Sequence, residues 1–210
     1  VIIQGSPEWL ALRVGKVTAS RVADVVARTK SGYSASRANY LAELICERLT
    51  GTPTQGFTNA AMQWGTDQEP YARQAYCERH GCDVFETSFV DHPEIAMSGC
   101  SPDGLVSDAG LVEIKCPNTA THLDTLLGAG IADKYLVQMQ WQLACTGREW
   151  CDFVSYDPRL PPAMRLYVER VPRDVSRILE LEGEVVAFLR ELDAKVEALR
   201  ARYEREAAAA

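Results

Sequence analysis

The sequence has no run of about 18 apolar residues, no CxxC pair and no cluster of histidines, of which there are three in all. The first absence excludes a membrane-spanning helix, and the polar Gln4, Gly5, Ser6 and Pro7 directly after Val1, Ile2 and Ile3 give no support to a secretory signal. A soluble, intracellular protein is expected. The second absence speaks against a disulfide framework. Cys46, Cys77, Cys82, Cys100, Cys116, Cys145 and Cys151 are an odd, scattered set that suits reduced thiols. A four-thiolate metal site from Cys77, Cys82, Cys100 and Cys116 is the minor alternative, because ligand cysteines ordinarily sit roughly two to four residues apart.

Positive charge is also short. A net charge of −7 argues against bulk electrostatic capture of nucleic acid. The deficit is uneven, however. Residues 1–50 carry Arg13, Lys16, Arg21, Arg28, Lys30, Arg37 and Arg48 against four acidic residues, a local +3 that leaves −10 for the remainder. That stretch is a candidate basic surface, with ordinary solvated helix faces as the competing reading.

What is present is one globular domain's worth of sequence, 1–210, with no repeat and no dividing linker. Pro7 starts a short helix ending near Gly15, and Thr18-Ala19-Ser20 caps a second through Val22, Val25 and Val26, with Ser20 itself a good N-cap. Residues 28–32 read as a basic loop. Helical periodicity returns over 34–49 and 59–80, closed by Gly51 and Gly81. The period then shortens: 84–90, 95–100, 111–116, 151–156 and 165–171 are rich in β-branched and aromatic residues and predict one central sheet. A helix over 132–145 is expected to cross it. After Pro172 a long helix carries Ile178, Leu181, Val185, Phe188, Leu192, Val196 and Leu199 in a nearly heptad seam, facing either its own core or another subunit, and 207–210 should fray. The class is α/β, helices around a mixed sheet.

The chemistry concentrates at Ser101-Pro102-Asp103-Gly104 followed by Glu113-Ile114-Lys115. On a strand, Glu113 and Lys115 share one face while Ile114 points into the core. A turn at Gly104 would bring Asp103 across from Glu113. Two such carboxylates repel unless a divalent cation lies between them, and all-oxygen ligands favour magnesium or manganese over zinc. Such an ion polarises a phosphoryl oxygen, and Lys115 would hold the attacking water. Taken alone the pattern is weak, since a solvated edge strand with a cross-strand ion pair looks the same.

Further blocks remove that ambiguity. Trp9-Leu10-Ala11-Leu12-Arg13, Thr18-Ala19-Ser20, Trp64-Gly65-Thr66-Asp67-Gln68-Glu69, Ser101-Pro102-Asp103-Gly104-Leu105, Glu113-Ile114-Lys115-Cys116-Pro117, Tyr135-Leu136-Val137-Gln138-Met139-Gln140 and Tyr156-Asp157-Pro158-Arg159 follow one another in order. Together they resemble the lambda-exonuclease-like (YqaJ-type) viral recombinases of the PD-(D/E)xK nuclease superfamily. The resemblance implies a restriction-endonuclease-like core with a central mixed sheet and a long C-terminal helix. It implies metal ligation by Asp103, Glu113, the Ile114 carbonyl and Glu69, with Lys115 catalytic and Gln138 beside it. Arg13, Ser20, Ser101 and Gln138 match residues that hold a 5′-phosphate. Gly65 would let the Glu69 helix approach the sheet. Arg28 and Lys30 are candidate duplex contacts, and Met62 falls near the family's apolar wedge, though a core methionine is an equal reading.

The activity implied is processive 5′-to-3′ digestion of double-stranded DNA ends with magnesium (or manganese), two ions per site. It releases mononucleotides and leaves a 3′ tail. The implied partners are two further copies in a toroidal homotrimer and a single-strand annealing protein, in the cytoplasm of a bacterium carrying the phage or prophage. A sequence-specific endonuclease on the same scaffold is the alternative, and a non-catalytic DNA-binding or metal-cluster protein a more distant one.

Overall fold

Short elements with well-marked ends open the chain. In the computed structural model, which describes residues 2–54 and 59–208, Ser6 caps α1 (Pro7–Arg13) by accepting a hydrogen bond from the Trp9 amide. Pro7 fills the first turn, where a missing N–H costs nothing. β1 (Val17–Thr18) runs directly into α2 (Ala19–Val26). Thr18, not Ser20, occupies the cap position, so Ser20 lies inside the first turn with its hydroxyl unspent on capping. The expected basic loop is instead a hairpin of β2 (Arg28–Thr29) and β3 (Gly32–Tyr33). α3 (Ala35–Thr50) and α4 (Ala60–His80) each stop at a glycine in the left-handed region, Gly51 at φ +69° and Gly81 at φ +61°.

The strands that follow form two sheets rather than one. β4 (Val84–Phe85), β5 (Val90–Asp91), β6 (Ser98–Cys100), β7 (Gly104–Val106) and β8 (Gly110–Lys115) precede α5 (Thr119–Asp124), which continues into a π-turn over Thr125–Ala129. α6 (Asp133–Thr146), β9 (Trp150–Tyr156), β10 (Leu166–Pro172) and α7 (Val175–Ala208) complete the order. The larger sheet runs β10-β9-β8-β7-β4, and only its central β8–β9 pair is parallel. The smaller runs β1-β6-β5. Segment 84–90 divides because Val84 pairs with β7 while Val90 pairs with β6. Segment 95–100 is a strand only from Ser98, after Met97 takes a positive φ of 61°.

The core is built on both faces of the larger sheet. α4 covers one face through Ala72 and Tyr76 against Val112, Ile114 and Val154. α6 covers the other through Met139 and Leu143 against Leu111, Cys151 and Phe153. A further cluster joins α2, α3, α6 and α7 through Val22, Tyr40, Leu44, Trp141, Leu181 and Phe188. The α7 seam is therefore committed to this chain's own core: Ile178, Leu181, Val185, Phe188, Leu192 and Val196 are all buried, and Leu199 alone is 37% exposed. α7 remains helical to Ala208, and Ala209 and Ala210 lie outside the described residues. The four-thiolate reading falls here, because Cys100 lies in the helical cluster and Cys82 and Cys116 on the α4 side of the sheet. No described helix is long and apolar enough to cross a membrane.

Candidate active site

The β7–β8 hairpin sets the carboxylates. Its register pairs Gly104 with Val112 and Leu105 with Leu111, so Asp103 stands opposite Glu113. The reversal itself lies between Val106 and Gly110 rather than at Gly104, which is the first residue of β7. Gly104 is needed for another reason: a Cβ there would meet Val84 Cγ1 at 2.1 Å. Alternation along β8 then does what the sequence predicts. Ile114 is buried in the α4-side cluster, while Glu113 and Lys115 share the opposite face.

Glu113 is wholly buried, and three donors converge on it. Lys115 Nζ and Gln138 Nε2, the latter at 2.6 Å, donate to Oε1, and Gln142 Nε2 donates to Oε2 at 2.6 Å. Asp103 Oδ2 accepts from the Ile114 amide at 2.7 Å. Burial, and then the charge of Glu113, hold the Asp103 carboxyl well above the usual carboxylate range, with Lys115 only partly offsetting them. Burial works against the Lys115 ammonium, but Glu113 and Asp103 outweigh it and raise its pKa, so it stays protonated. Glu69 on α4 accepts from Arg73 at 2.6 Å, and Arg73 also reaches Glu86 at 2.6 Å. Desolvation raises Glu69, against the pull of Arg73 and Lys115.

Two carboxylates crowded onto one lysine, with only oxygen donors near, fit a hard divalent cation. The third carboxylate is turned to Arg73, and among the described residues no three His, Cys, Asp or Glu side chains close into a metal-binding group. Among the described residues, Asp103 and Glu113 are the two carboxylates that line one cavity.

Sharing their cavity is a cation with no ion pair among the described residues. The Arg13 guanidinium stacks on the Trp9 ring, 3.8 Å from its centroid, and among the described residues no carboxylate lies within 4.0 Å of it. Burial accordingly lowers its pKa. Trp9 Nε1 in turn donates to Ser101 Oγ at 2.9 Å. Arg13, Ser20, Ser101, Asp103, Glu113, Lys115 and Gln138 line one cavity of about 160 Å³. A half-buried guanidinium and two hydroxyls on one wall suit an anion, and the carboxylate–lysine wall suits a phosphoryl centre beside a cation.

Other sequence-predicted residues lie elsewhere. Glu69 lines the neighbouring cavity with Trp9, Pro70 and Arg73. Arg28 is bound to Glu184 at 2.6 Å and stacks on Tyr33, while Lys30 sits exposed at the hairpin turn. Met62, in the first turn of α4, is 56% exposed and is not a core methionine. Gly65 faces open space, so close approach to the sheet is not its role. Gln140 points away from the site to Pro172 O and the Asp174 amide. The sequence reading missed Gln142, although its spacing of four from Gln138 puts both on one helix face.

Residues 8–149 match the YqaJ-like viral recombinase domain. The alkaline exonuclease LHK-Exo from Laribacter hongkongensis has 55% identity over 95% of this chain and 99% of that one, with a TM-score of 0.89. A crystal structure of LHK-Exo in complex with dAMP gives 56% identity, the same coverage and the same TM-score. A phage related exonuclease from Haemophilus somnus 129PT, at 17% identity over 88% of this chain and 96% of that one and a TM-score of 0.69, shares the fold. No curated protein matches the chain.

Proposed function

This chain belongs to the YqaJ-like viral recombinase family and is a deoxyribonuclease, and from that premise we propose magnesium-dependent, processive 5′-to-3′ digestion of duplex DNA ends. The products are 5′-mononucleotides and a duplex with a 3′ single-stranded tail. The observation that carries the reading is that one cavity holds a guanidinium with no ion pair among the described residues together with a carboxylate pair and a lysine. LHK-Exo in complex with dAMP holds the kind of molecule such a reaction releases.

Magnesium, with manganese as the substitute and two ions per site, would be held by Asp103, Glu113, the Ile114 carbonyl and Glu69. When bound it polarises the scissile phosphate and offsets charge on the leaving oxygen. The chain's own groups do the rest. Lys115, protonated beside Glu113, donates to the attacking water and orients it, while Gln138 steadies Glu113 and the incoming phosphate. The water oxygen bonds to phosphorus, the P–O3′ bond breaks, and the proton passes to the departing O3′. What remains on the strand is a new 5′-phosphate, the group for which Arg13, Ser20 and Ser101 are suited. Each turn thus regenerates its own anchor, which favours processivity.

In this reading one domain over 1–210 assembles as a homotrimeric ring around DNA, Arg28, Lys30 and the exposed Met62 lie along the duplex, and an annealing protein takes the 3′ tail in the bacterial cytoplasm. The test is digestion of a linear duplex labelled at either 5′ or 3′ ends, with magnesium or chelator, beside a closed circle. Early release of 5′ label as mononucleotide, only with magnesium and never from the circle, is expected. Cutting of the circle would replace the exonuclease with an endonuclease, and early 3′ release would reverse the polarity.

A further inference from the structure

We propose that Gln142, backed by Cys151, is a positioning residue that fixes the plane of the Glu113 carboxylate, one oxygen anchored in the core and the other toward the cavity, and so sets the affinity of the cation site. The inference rests on the metal-dependent reading above. The two oxygens of Glu113 have unlike partners. Oε1 meets Lys115 and Gln138, both of which line the cavity, whereas Oε2 meets Gln142, which does not line it and is wholly buried. Oε1 is therefore the oxygen on the cavity side, and Oε2 the one anchored in the core.

The anchor has a defined direction. A carboxylate only accepts, so Gln142 must turn its NH2 toward Glu113 and its carbonyl oxygen away. On that far side lies Cys151 Sγ, 4.0 Å from Gln142 Oε1, at the outer limit for a thiol donor. Cys151, Gln142 and Glu113 are all wholly buried, so water does not compete for any of these bonds. The terminal torsion of a glutamate is broad and roughly two-fold, and without a donor on Oε2 the carboxylate is free to turn. A buried oxygen would also lose its partner. α6 supplies both amides from one face, Gln138 to the cavity side and Gln142 behind it, while Gln140 between them serves α7.

Full-length protein without DNA, titrated with Mn2+ and read by the electron paramagnetic resonance of the free ion, tests this directly. Gln142→Leu keeps the volume and removes the donor; about a tenfold weaker Mn2+ affinity is expected. Digestion of a duplex should show the same shift in the magnesium concentration for half-maximal rate, with the KM for DNA ends unchanged. Cys151→Ala should move both in the same direction by less, and Cys151→Ser, which retains a hydroxyl donor, should restore them. Wild-type Mn2+ affinity in a folded Gln142→Leu protein overturns the proposal. If that variant does not fold, the Cys151 pair decides, and identical affinities for alanine, serine and cysteine overturn it. Asp103→Asn separates the premise from the inference: unchanged Mn2+ binding there would sink the cation site itself, while a loss there with none at Gln142 sinks only the positioning role.

Discussion

Arg13 and Lys115 are cations at one cavity, yet their surroundings make opposite demands on the fold. Arg13 has no carboxylate within 4.0 Å among the described residues, so Arg13→Ala should leave stability near wild type and act on substrate choice. The expected outcome is a fall of about 10- to 100-fold in the ratio of kcat/KM for 5′-phosphorylated over 5′-hydroxyl ends, the equivalent of roughly 1.5–3 kcal/mol for hydrogen bonds to a charged group. An unchanged ratio would remove the 5′-phosphate role. Lys115 is different, because it is the counter-charge of a fully buried Glu113. Lys115→Ala should abolish turnover and also lower stability by about 3–5 kcal/mol, as breaking a buried pair does. Asp103→Asn, which keeps an acceptor for the Ile114 amide but relieves the repulsion with Glu113, should instead raise stability in chelator by on the order of 1 kcal/mol, seen as a higher thermal midpoint, while ending catalysis. Thermal unfolding of the three proteins checks the contrast, and a destabilised Asp103→Asn would refute the crowding of the two carboxylates.

At the scale of elements, the long C-terminal helix and the turn after β9 carry separable predictions. Phe188 of α7 is fully buried against Tyr40, with ring centroids 5.7 Å apart, so Phe188→Ala should cost about 3–5 kcal/mol. Leu179, 62% exposed on the same helix, should cost less than about 0.5 kcal/mol when truncated. Equal losses at both positions, measured by denaturant titration, would place the seam elsewhere. Beyond β9, Asp157 is buried and accepts from the Arg159 amide at 3.0 Å and its guanidinium at 2.7 Å. Burial alone would raise this carboxyl, but its bonds to Arg159 and Thr119 outweigh burial and bring it down to about 2. A depressed carboxylate stabilises the fold above its unfolded pKa, near 4, and that contribution fades as pH falls toward 2. With Arg159 partly in solvent the contribution is about 1–2 kcal/mol, and Asp157→Asn should flatten the stability profile between about pH 4 and 2. Helix ends were readable in advance because caps and glycines are local chemistry. The division of the strands into two sheets was not, because which strand a short apolar run joins depends on partners far along the chain.

For the whole molecule, the local +3 of residues 1–50 does not survive as a free positive surface. Lys16 pairs with Asp91, Arg21 with Asp24 and Glu43, Arg28 with Glu184, Arg37 with Glu191 and Arg48 with Asp193. Four of these five basic residues are spent tying the N-terminal half to α7 or to the small sheet. On the proposed reading the hold on DNA comes from enclosure by a ring of three chains rather than from charge. Binding to duplex ends should consequently show a shallow salt dependence, with a log–log slope of about −2 per chain or less. Sedimentation should show a trimer with and without DNA. A steep slope with monomers only would leave enclosure without support.

The sequence by itself determined where the candidate site residues stand. Asp103, Glu113 and Lys115 fall into place through strand alternation and a short hairpin, both local rules, and the order of blocks from Trp9 to Arg159 identified the family. It also fixed the helix boundaries at Gly51 and Gly81, because only a left-handed residue ends those helices so. The tertiary structure alone decided three matters. It paired most of the N-terminal cations with carboxylates far along the chain, it turned the α7 seam inward, and it put Gln142 and Cys151 behind Glu113. Each depends on contacts between residues well separated in sequence, and the spacing of one segment holds no information about the charge or shape of the segment it will meet.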